Sequence, residues 1–482
     1  MSKPSTLAEE SPNVTIEWVD RNTLPKTQLV DLLKIFGDLL PDPLSERVDL
    51  STYAEKLQRN AEIALAYQNE QIVGFLIMYA NDNDTRKAHI PLITVLQSYR
   101  GRGIGKVLIS RAIALARQRK MLNLWLTVDD DNKVAQHVYS QLRFVVSGKD
   151  EPKLIMSRDL SASPLLLEPQ ITAIEPGNIL ASELGLDIDL RIKRDDLYPF
   201  PGGGIKARKI GFIMKKAIED GYDAIVTNGG PQSNHARSAA ILAANLGIKC
   251  HLVIVLKEGK KYSKSGNILL MKLTGASVEY TSKDLLSMSM DRAIENLSKE
   301  GHKPLYIWGG GHNLQGTIAF VEAAAEARGQ CGDWIPDYLI LASGTGSTHA
   351  GLAIGYADLG TKVVGISVAR ESARGGKIIE DCINDYYQQT SIPPEKVNIH
   401  FLDNWTSGGY EEYEVPLFNI IEKAARCGQF FDPTYSGKAL LGLTALVNNG
   451  EIPRESKVLL WHTGGLMNLQ AVLHYTEGTF SR

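Results

Sequence analysis

Residues 202–209 read GGGIKARK, three glycines and an isoleucine ahead of Lys206. Glycines let the backbone pass close to a bulky group, because a residue without Cβ reaches positive φ at little cost. Downstream, Ile210, Ile213, Met214 and Ala217 fall at i, i+3, i+4 and i+7, which predicts an amphipathic helix ending near Gly221. Lys206 is then presented from an anchored helix start at the mouth of a packed site. A lone lysine after glycines is far more often a solvated helix-start residue, so the reading depends on its surroundings.

Two further stretches supply them. The apolar run Ala224, Ile225, Val226 predicts a buried parallel strand, and NGGPQSNHAR (228–237) places polar side chains at its carboxyl end, where open α/β sheets bind ligands. SGTGSTHAG (343–351) again follows a strand-like run and opens a helix, and its amides and hydroxyls suit a phosphate. A lysine, a polar strand end and a phosphate cradle together point to pyridoxal phosphate (PLP). Residues 166–480 resemble the family of 1-aminocyclopropane-1-carboxylate deaminase and D-cysteine desulfhydrase, within the tryptophan-synthase-β-like PLP enzymes.

That resemblance implies roles residue by residue. Lys206 matches the lysine of a GGNKxRK motif that holds PLP covalently and, once released by the incoming amino group, moves a proton at Cα or Cβ. Asn234 would bond the PLP phenolic oxygen, and Ser233 and His235 would face the substrate carboxylate or leaving group. Gly344, Thr345, Gly346, Ser347 and Thr348 would cradle the phosphate. DPTYSGKALLGL supplies Tyr435 as the active-site tyrosine with Ser436 on the substrate, and WHTGG supplies Thr463 beside the pyridine nitrogen. Structural alternatives stand beside these: Tyr435 as a buried tyrosine, Ser233 as a helix cap, Thr463 as a turn former. The chain departs from the family at Ile205, where asparagine usually precedes the lysine, so a polar contact is missing and the substrate is expected to differ. Deaminases of the family carry a glutamate after the tyrosine and an apolar residue near the pyridine nitrogen. The hydroxyls of Ser436 and Thr463 therefore favour β-elimination from a D-cysteine-like amino acid to a keto acid and ammonia. Ring opening of 1-aminocyclopropane-1-carboxylate, or β-replacement on an O-acylated amino acid, are the alternatives.

The N-terminal part reads differently. Strands are predicted over 14–18, 61–67 and 72–79, the last two joined as a hairpin at Asn69 and Glu70, with a helix near 28–36. A strand over 90–96 runs through Val95 into QSYRGRGIGKVL, a glycine-rich turn before a helix, which is a recipe for a pyrophosphate site. An alternating strand over 122–128 and a helix over 132–144 follow. This order is similar to that of the GNAT family of N-acetyltransferases. The resemblance implies that Val95, Arg100, Gly101, Arg102, Gly103, Ile104, Gly105 and Asn132 bind acetyl-CoA, with Tyr139 as the general acid. Ala135, Val138, Tyr139 and Leu142 also share one helix face, so Tyr139 reads equally as core. Arg143 stands where a glycine commonly precedes the phenylalanine. No acidic base is evident on the preceding strand, and His89 at its start reads as a bystander. A regulatory module that binds coenzyme A without transferring an acyl group is the rival.

At 482 residues the chain exceeds what one core fills, which predicts two domains. We expect an α/β protein with a mixed-sheet GNAT domain over 14–157, a Ser- and Pro-containing linker over 158–167, and a two-lobed PLP fold type II domain over 168–480. Residues 1–13 read as disordered. A net charge of −3 gives no basic field for nucleic acid or anionic membranes, so a small molecule is the expected partner, and the resemblance above implies a small amino acid. The start of the chain lacks an apolar signal region and no apolar run is long enough to span a bilayer, so the cytoplasm is the expected compartment. A homodimer is the expected assembly. Cys250, Cys331, Cys382 and Cys427 are scattered without metal-type spacing, and no metal site is expected. A dinucleotide reading of GTGST in an oxidoreductase fails, because the strand that follows ends at Ala369 and Arg370 without an acidic ribose partner.

Overall fold

In the computed structural model, which describes residues 14–20, 23–68, 70–161, 167 and 169–473, the two sequence patterns sort into different sheets. Residues 1–13 and 162–166 of the expected linker lie outside the described residues, as does the end of the chain from 474. The N-terminal strands are β1 (Thr15–Val19), β2 (Glu62–Gln68), β3 (Gln71–Tyr79), β4 (Lys87–Val95), β5 (Asn123–Asp129), β6 (Val145–Asp150) and β7 (Lys153–Asp159), in the order β1-β2-β3-β4-β5-β7-β6. All neighbours are antiparallel except β4 and β5, which pair in parallel from Lys87↔Asn123 to Ile90↔Leu126. The next residue of β4 is Pro91, which has no N–H to give to the ladder, and the pairing stops there. Beyond that point β4 runs through the 100–103 turn into helix Ile104–Gln118. From β5 the chain passes Asn132 into helix Lys133–Gln141. Two parallel strand ends that part, each followed by a helix start, form a ligand crevice.

One expectation needs correction here. Arg158 and Asp159 belong to β7 and not to the linker, because Asp159 pairs with Asn123 and Arg158 with Leu124. Arg158 is 3% exposed and spends its guanidinium on Leu142 O (2.8 Å) and Leu246 O (3.0 Å).

The continuous apolar runs of the C-terminal part become β8 (Ile174–Pro176), β9 (Asp189–Lys193), β10 (Ala224–Gly229), β11 (Lys249–Val255), β12 (Ser277–Thr281), β13 (Pro304–Ile307), β14 (Tyr338–Ser343), β15 (Lys362–Ser367), β16 (His400–Leu402) and β17 (Lys457–Trp461). A smaller sheet, β12-β11-β10-β13, is parallel throughout. A larger one, β16-β15-β14-β17-β9-β8, is parallel except at its edge, where β8 runs against β9. Pro176 suits that edge, where no ladder donor is lost. The chain starts in the large lobe, builds the small lobe as β10 to β13, and returns. The Lys206 helix, Ile205–Glu219, lies on the outward crossing.

The small lobe abuts the N-terminal domain through helix ends. Helices Ile205–Glu219, Asn234–Leu246 and Leu286–Lys299 are followed by Gly221, Gly247 and Gly301, all at positive φ. A Cβ at Gly301 would lie 2.8 Å from Val107, and one at Gly247 would strike the Arg158 guanidinium. Arg143 also reaches Asn245 O (3.4 Å), and Val14 N bonds Lys299 O (3.0 Å). Last-turn helix carbonyls lack intrahelical partners and carry the negative end of the dipole, so arginines suit them.

Candidate active site

A cavity of about 690 Å³ opens between the two C-terminal sheets, and Lys206 lies in its wall. Gly202, Gly203 and Gly204 all take positive φ (81°, 54° and 90°). At Gly203 a Cβ would collide with the Asp196 carbonyl oxygen, so the close approach expected of the glycine run is real, although the group approached is the chain itself. Behind the turn, buried Asp195 bonds Arg208 (2.8 Å), Thr172 (2.7 Å) and the Trp461 indole (2.9 Å), and its backbone oxygen accepts from Gly204 N (2.9 Å). Lys206 Nζ donates to Gly310 O (3.0 Å). Burial, helped by Arg370, pushes its amine down to about 8.

The carboxyl end of β10 forms the next wall. Ser233 caps helix Asn234–Leu246 by accepting from Ala236 N (3.2 Å) and still lines the cavity, so cap and site residue are one. Asn234 Oδ1 accepts from Asn267 Nδ2 (2.8 Å). The Thr227 hydroxyl donates its one hydrogen to Ile307 O (2.7 Å), so the 2.9 Å contact to His235 Nε2 must be a bond donated by the imidazole. His235 Nδ1 is left as a buried acceptor without a partner. Burial, with Lys206 and Lys209 nearby, pushes this histidine down to about 3, and it stays neutral.

At the carboxyl end of β14, Gly344, Thr345, Gly346 and Thr348 line the cavity, and Gly346 turns the chain at φ 92° into helix Ser347–Gly355. The hydroxyls of Ser343, Thr345 and Thr348 are buried and have no partner. Ser347 departs from the expected cradle. Its hydroxyl accepts from Lys209 Nζ (2.8 Å) and donates to Gly311 O (3.2 Å), so it is not free for a phosphate.

Late in the chain, Tyr435 lines the cavity and its hydroxyl pairs with that of Tyr410 (2.7 Å). Burial holds both phenols protonated. Ser436 does not reach the cavity, contrary to expectation. Its hydroxyl donates to Asp432 Oδ1 (2.8 Å) and accepts from Asp432 N (2.9 Å), closing on a buried carboxyl that burial raises to about 6. Thr463 does reach it, with a buried hydroxyl that lacks a partner. Tyr410, Glu411, Trp308, His312 and Arg370 also line the cavity and went unrecognised in the sequence. Each comes from a loop without periodicity; the signals on offer were the strand ends before Trp308 and Arg370 and the glycines beside Trp308, His312 and Tyr410.

PLP needs an amine for its aldehyde, donors for a phosphate dianion and a partner for its ring nitrogen. The cavity offers Lys206, three orphan hydroxyls at a helix start, and Thr463. Buried polar groups are rarely left unpaired, so the residues present fit the cofactor.

In the N-terminal domain the 100–105 turn lies past Val95, whose carbonyl accepts from Arg100 Nε (3.0 Å). Gly101 and Gly103 have φ of 79° and 83°, and a Cβ at either would meet nothing, so backbone conformation and not crowding calls for glycine. Arg102 lies over the Tyr99 ring (5.2 Å), Ile104 is buried, and Gly105 faces Val95. Asn132 Oδ1 caps its helix by accepting from Ala135 N (3.0 Å). Tyr139 packs in the core beside Phe144, and burial pushes its phenol up to about 12, so it is at once core and a protonated hydroxyl. His89 stacks on Trp125 (3.7 Å between centroids), and burial lowers it to about 4.

Residues 166–464 match the family model described as pyridoxal-phosphate dependent enzyme, and residues 29–144 match the acetyltransferase (GNAT) family. The chain is 34% identical over 326 residues to a 1-aminocyclopropane-1-carboxylate deaminase of Pseudomonas syringae pv. tomato, covering 64% of this chain and 95% of that protein. It is 32% identical over 297 residues to a D-cysteine desulfhydrase of Klebsiella pneumoniae, covering 59% and 89%. A crystal structure of an ACC deaminase homologue superposes with a TM-score of 0.58 at 31% identity, over 65% of this chain and 94% of that one.

Proposed function

From a chain that belongs to the pyridoxal-phosphate dependent enzymes through residues 166–464 and carries a GNAT domain ahead of them, we propose a bifunctional enzyme. Its C-terminal part would catalyse β-elimination from a small D-cysteine-like amino acid, giving a keto acid and ammonia. Lys206, Asn234, the hydroxyls of Thr345 and Thr348, the backbone of 344–348, and Thr463 would hold PLP. When bound, that cofactor supplies a sink for negative charge at the substrate Cα.

The chain's own residues then have three tasks. Lys206, with its amine near neutrality, takes the Cα proton. Ser233 holds the substrate carboxylate through its hydroxyl, and His235, whose Nδ1 is an acceptor, takes a hydrogen bond from the substrate's leaving group. Tyr435, kept protonated and steadied by Tyr410, donates at the leaving group.

The observation that carries elimination over ring opening is the unpartnered Thr463 hydroxyl in the cavity wall. A hydroxyl does not keep a pyridine nitrogen protonated as a carboxylate would, and this suits prompt loss of a β-substituent. Ser436 no longer contributes to that argument. Glu411 favours the second reading, since it puts a carboxyl in the cavity. The experiment is to compare turnover of D-cysteine, β-chloro-D-alanine and 1-aminocyclopropane-1-carboxylate under saturating PLP. Keto acid from the two D-amino acids is expected, and brisk ring opening without elimination from either would overturn the reading.

For the N-terminal domain, the reading is acetyl-CoA held on the 100–105 turn with Tyr139 as general acid. We place the boundary after β7 and the second domain from about 168 to 480, in a cytoplasmic homodimer. Among the described residues no helix is long and apolar enough to cross a membrane. Gly103→Val forces a branched side chain into left-handed backbone at a cost of roughly 1–2 kcal/mol. Calorimetry on the full chain is expected to give acetyl-CoA affinity at least about fivefold weaker. Unchanged affinity would reject the turn as the binding site.

A further inference from the structure

Glu411 is the one carboxyl among the described residues that lines the cavity. It sits between β16 and helix Val415–Arg426 at φ 60°, a conformation that ordinary side chains avoid and that persists where the surroundings demand it. The residue is 7% exposed, and its Oε1 is buried without a hydrogen-bond partner. A Cβ at Gly230 would lie 3.3 Å from that oxygen, so the carboxyl faces the glycine turn that leads to Ser233 and Asn234.

Two lysines approach the loop, yet neither satisfies this group. Lys257 Nζ bonds Tyr410 O (2.8 Å) and Glu412 (3.0 Å), and Lys260 Nζ bonds Glu411 O (2.8 Å). The side-chain contact of Lys260 to Glu411 Oε2 is 3.9 Å, beyond a hydrogen bond. The lysines therefore latch the loop's backbone from the small lobe and leave Oε1 open. Burial raises the carboxyl above its ordinary range, with Lys260 and Lys257 opposing. A buried acceptor at a desolvation cost that no intramolecular bond offsets is unusual in a loop with only a structural task. Ile205 also lines the cavity where the related motif has an asparagine, so that position offers no polar group and Glu411 supplies the cavity's acceptor charge.

We propose that Glu411 selects the substrate by accepting a hydrogen bond from an ammonium group on Cβ, so that the cavity takes small amino acids of the 2,3-diaminopropionate type. Recognition stands on the geometry of Glu411, while the fate of that substrate rests on the elimination reading above. Loss of the Cα proton and of the Cβ–N bond expels ammonia and leaves 2-aminoacrylate. Its imine tautomer takes up one water to give pyruvate and a second ammonia.

The test uses full-length, PLP-loaded protein and reads binding and turnover separately. Dissociation constants are measured calorimetrically for 2,3-diaminopropionate, alanine and serine of each hand. In the favoured hand, diaminopropionate is expected to bind at least about tenfold more tightly than alanine, the range of a hydrogen bond to a charged group. Glu411→Gln is expected to bring that ratio below about threefold. No discrimination by the unaltered protein, serine binding as tightly as diaminopropionate, or a ratio untouched by Glu411→Gln would each overturn the proposal. Release of pyruvate and ammonia is then followed. Discrimination without turnover of any β-substituted amino acid sinks the elimination reading alone. Turnover of β-chloroalanine without discrimination sinks the Glu411 inference alone.

Discussion

Lys206→Ala is expected to lower keto acid formation by at least about a thousandfold, the scale on which a positioned base and covalent anchor act together. Borohydride reduction of the unaltered protein should fix a pyridoxyl group on the peptide containing Lys206, and the alanine variant should give none. The rival within the same helix is Lys209, which is also buried and held well below its ordinary range by burial and by Lys206. Its amine is already engaged with the Ser347 hydroxyl, whereas Lys206 meets only a carbonyl at the cavity wall. A pyridoxyl group on Lys209 would overturn the assignment. The amine of Lys206 also sets a pH dependence for PLP uptake. Only the neutral form attacks an aldehyde, and with the amine pushed down to about 8, uptake by the cofactor-free protein should rise as pH increases through that value.

Asp195→Ala is the largest stability loss expected. Asp195 is 0% exposed and Arg208 1%, and Arg208 would keep its bond to Glu326 (2.7 Å) and a long one to the Thr172 hydroxyl (3.5 Å). Breaking a buried pair from one side costs roughly 3–5 kcal/mol, which the denaturant midpoint of the C-terminal transition would report. A loss below about 1 kcal/mol would contradict the network. The effect should have a pH signature. Burial alone would raise Asp195, but the charge of Arg208 and bonds from Arg208, Thr172 and Trp461 hold it below its ordinary value. Its stabilisation is thus complete above about pH 4 and lost as pH falls through the lower, folded value. Asp195→Ala should remove that part of the acid dependence. Because Gly204 N bonds Asp195 O and Gly203 packs on Asp196, PLP occupancy should fall with it.

Residues that sit at the carboxyl ends of buried strands were readable in the sequence. Ser233, Asn234, Thr345 and Thr348 follow apolar runs and open helices, and that position alone aims them at a crevice between lobes, while Lys206 was marked by the glycine run before its helix. Direction within a helix start was not readable. Ser347 and Ser436 adjoin residues that do line the cavity, yet successive side chains on a helix diverge by about 100°, which turns both toward the interior. Tyr410 and Glu411 were invisible for another reason. Their loop carries no period, and the cavity reaches them only after β16 and helix Val415–Arg426 have packed. The misplaced linker start has a local cause: Ser161 and the residues after it carry the turn composition, while Arg158 and Asp159 differ from loop residues only in their partners on β5.

The glycines that end three small-lobe helices against the N-terminal domain make the two domains into a semi-detached pair with a common wall. Gly247 and Gly301 lack the Cβ that would strike Arg158 and Val107 of the neighbouring domain. A chain beginning after the linker would strip the Arg158 guanidinium from Leu246 O and the Val14 amide from Lys299 O, and would bare the C-terminal ends of the helices that begin at Ile205 and Asn234. Dividing this protein is demolition on the party wall, and whatever either half does alone is the behaviour of a building with one side open.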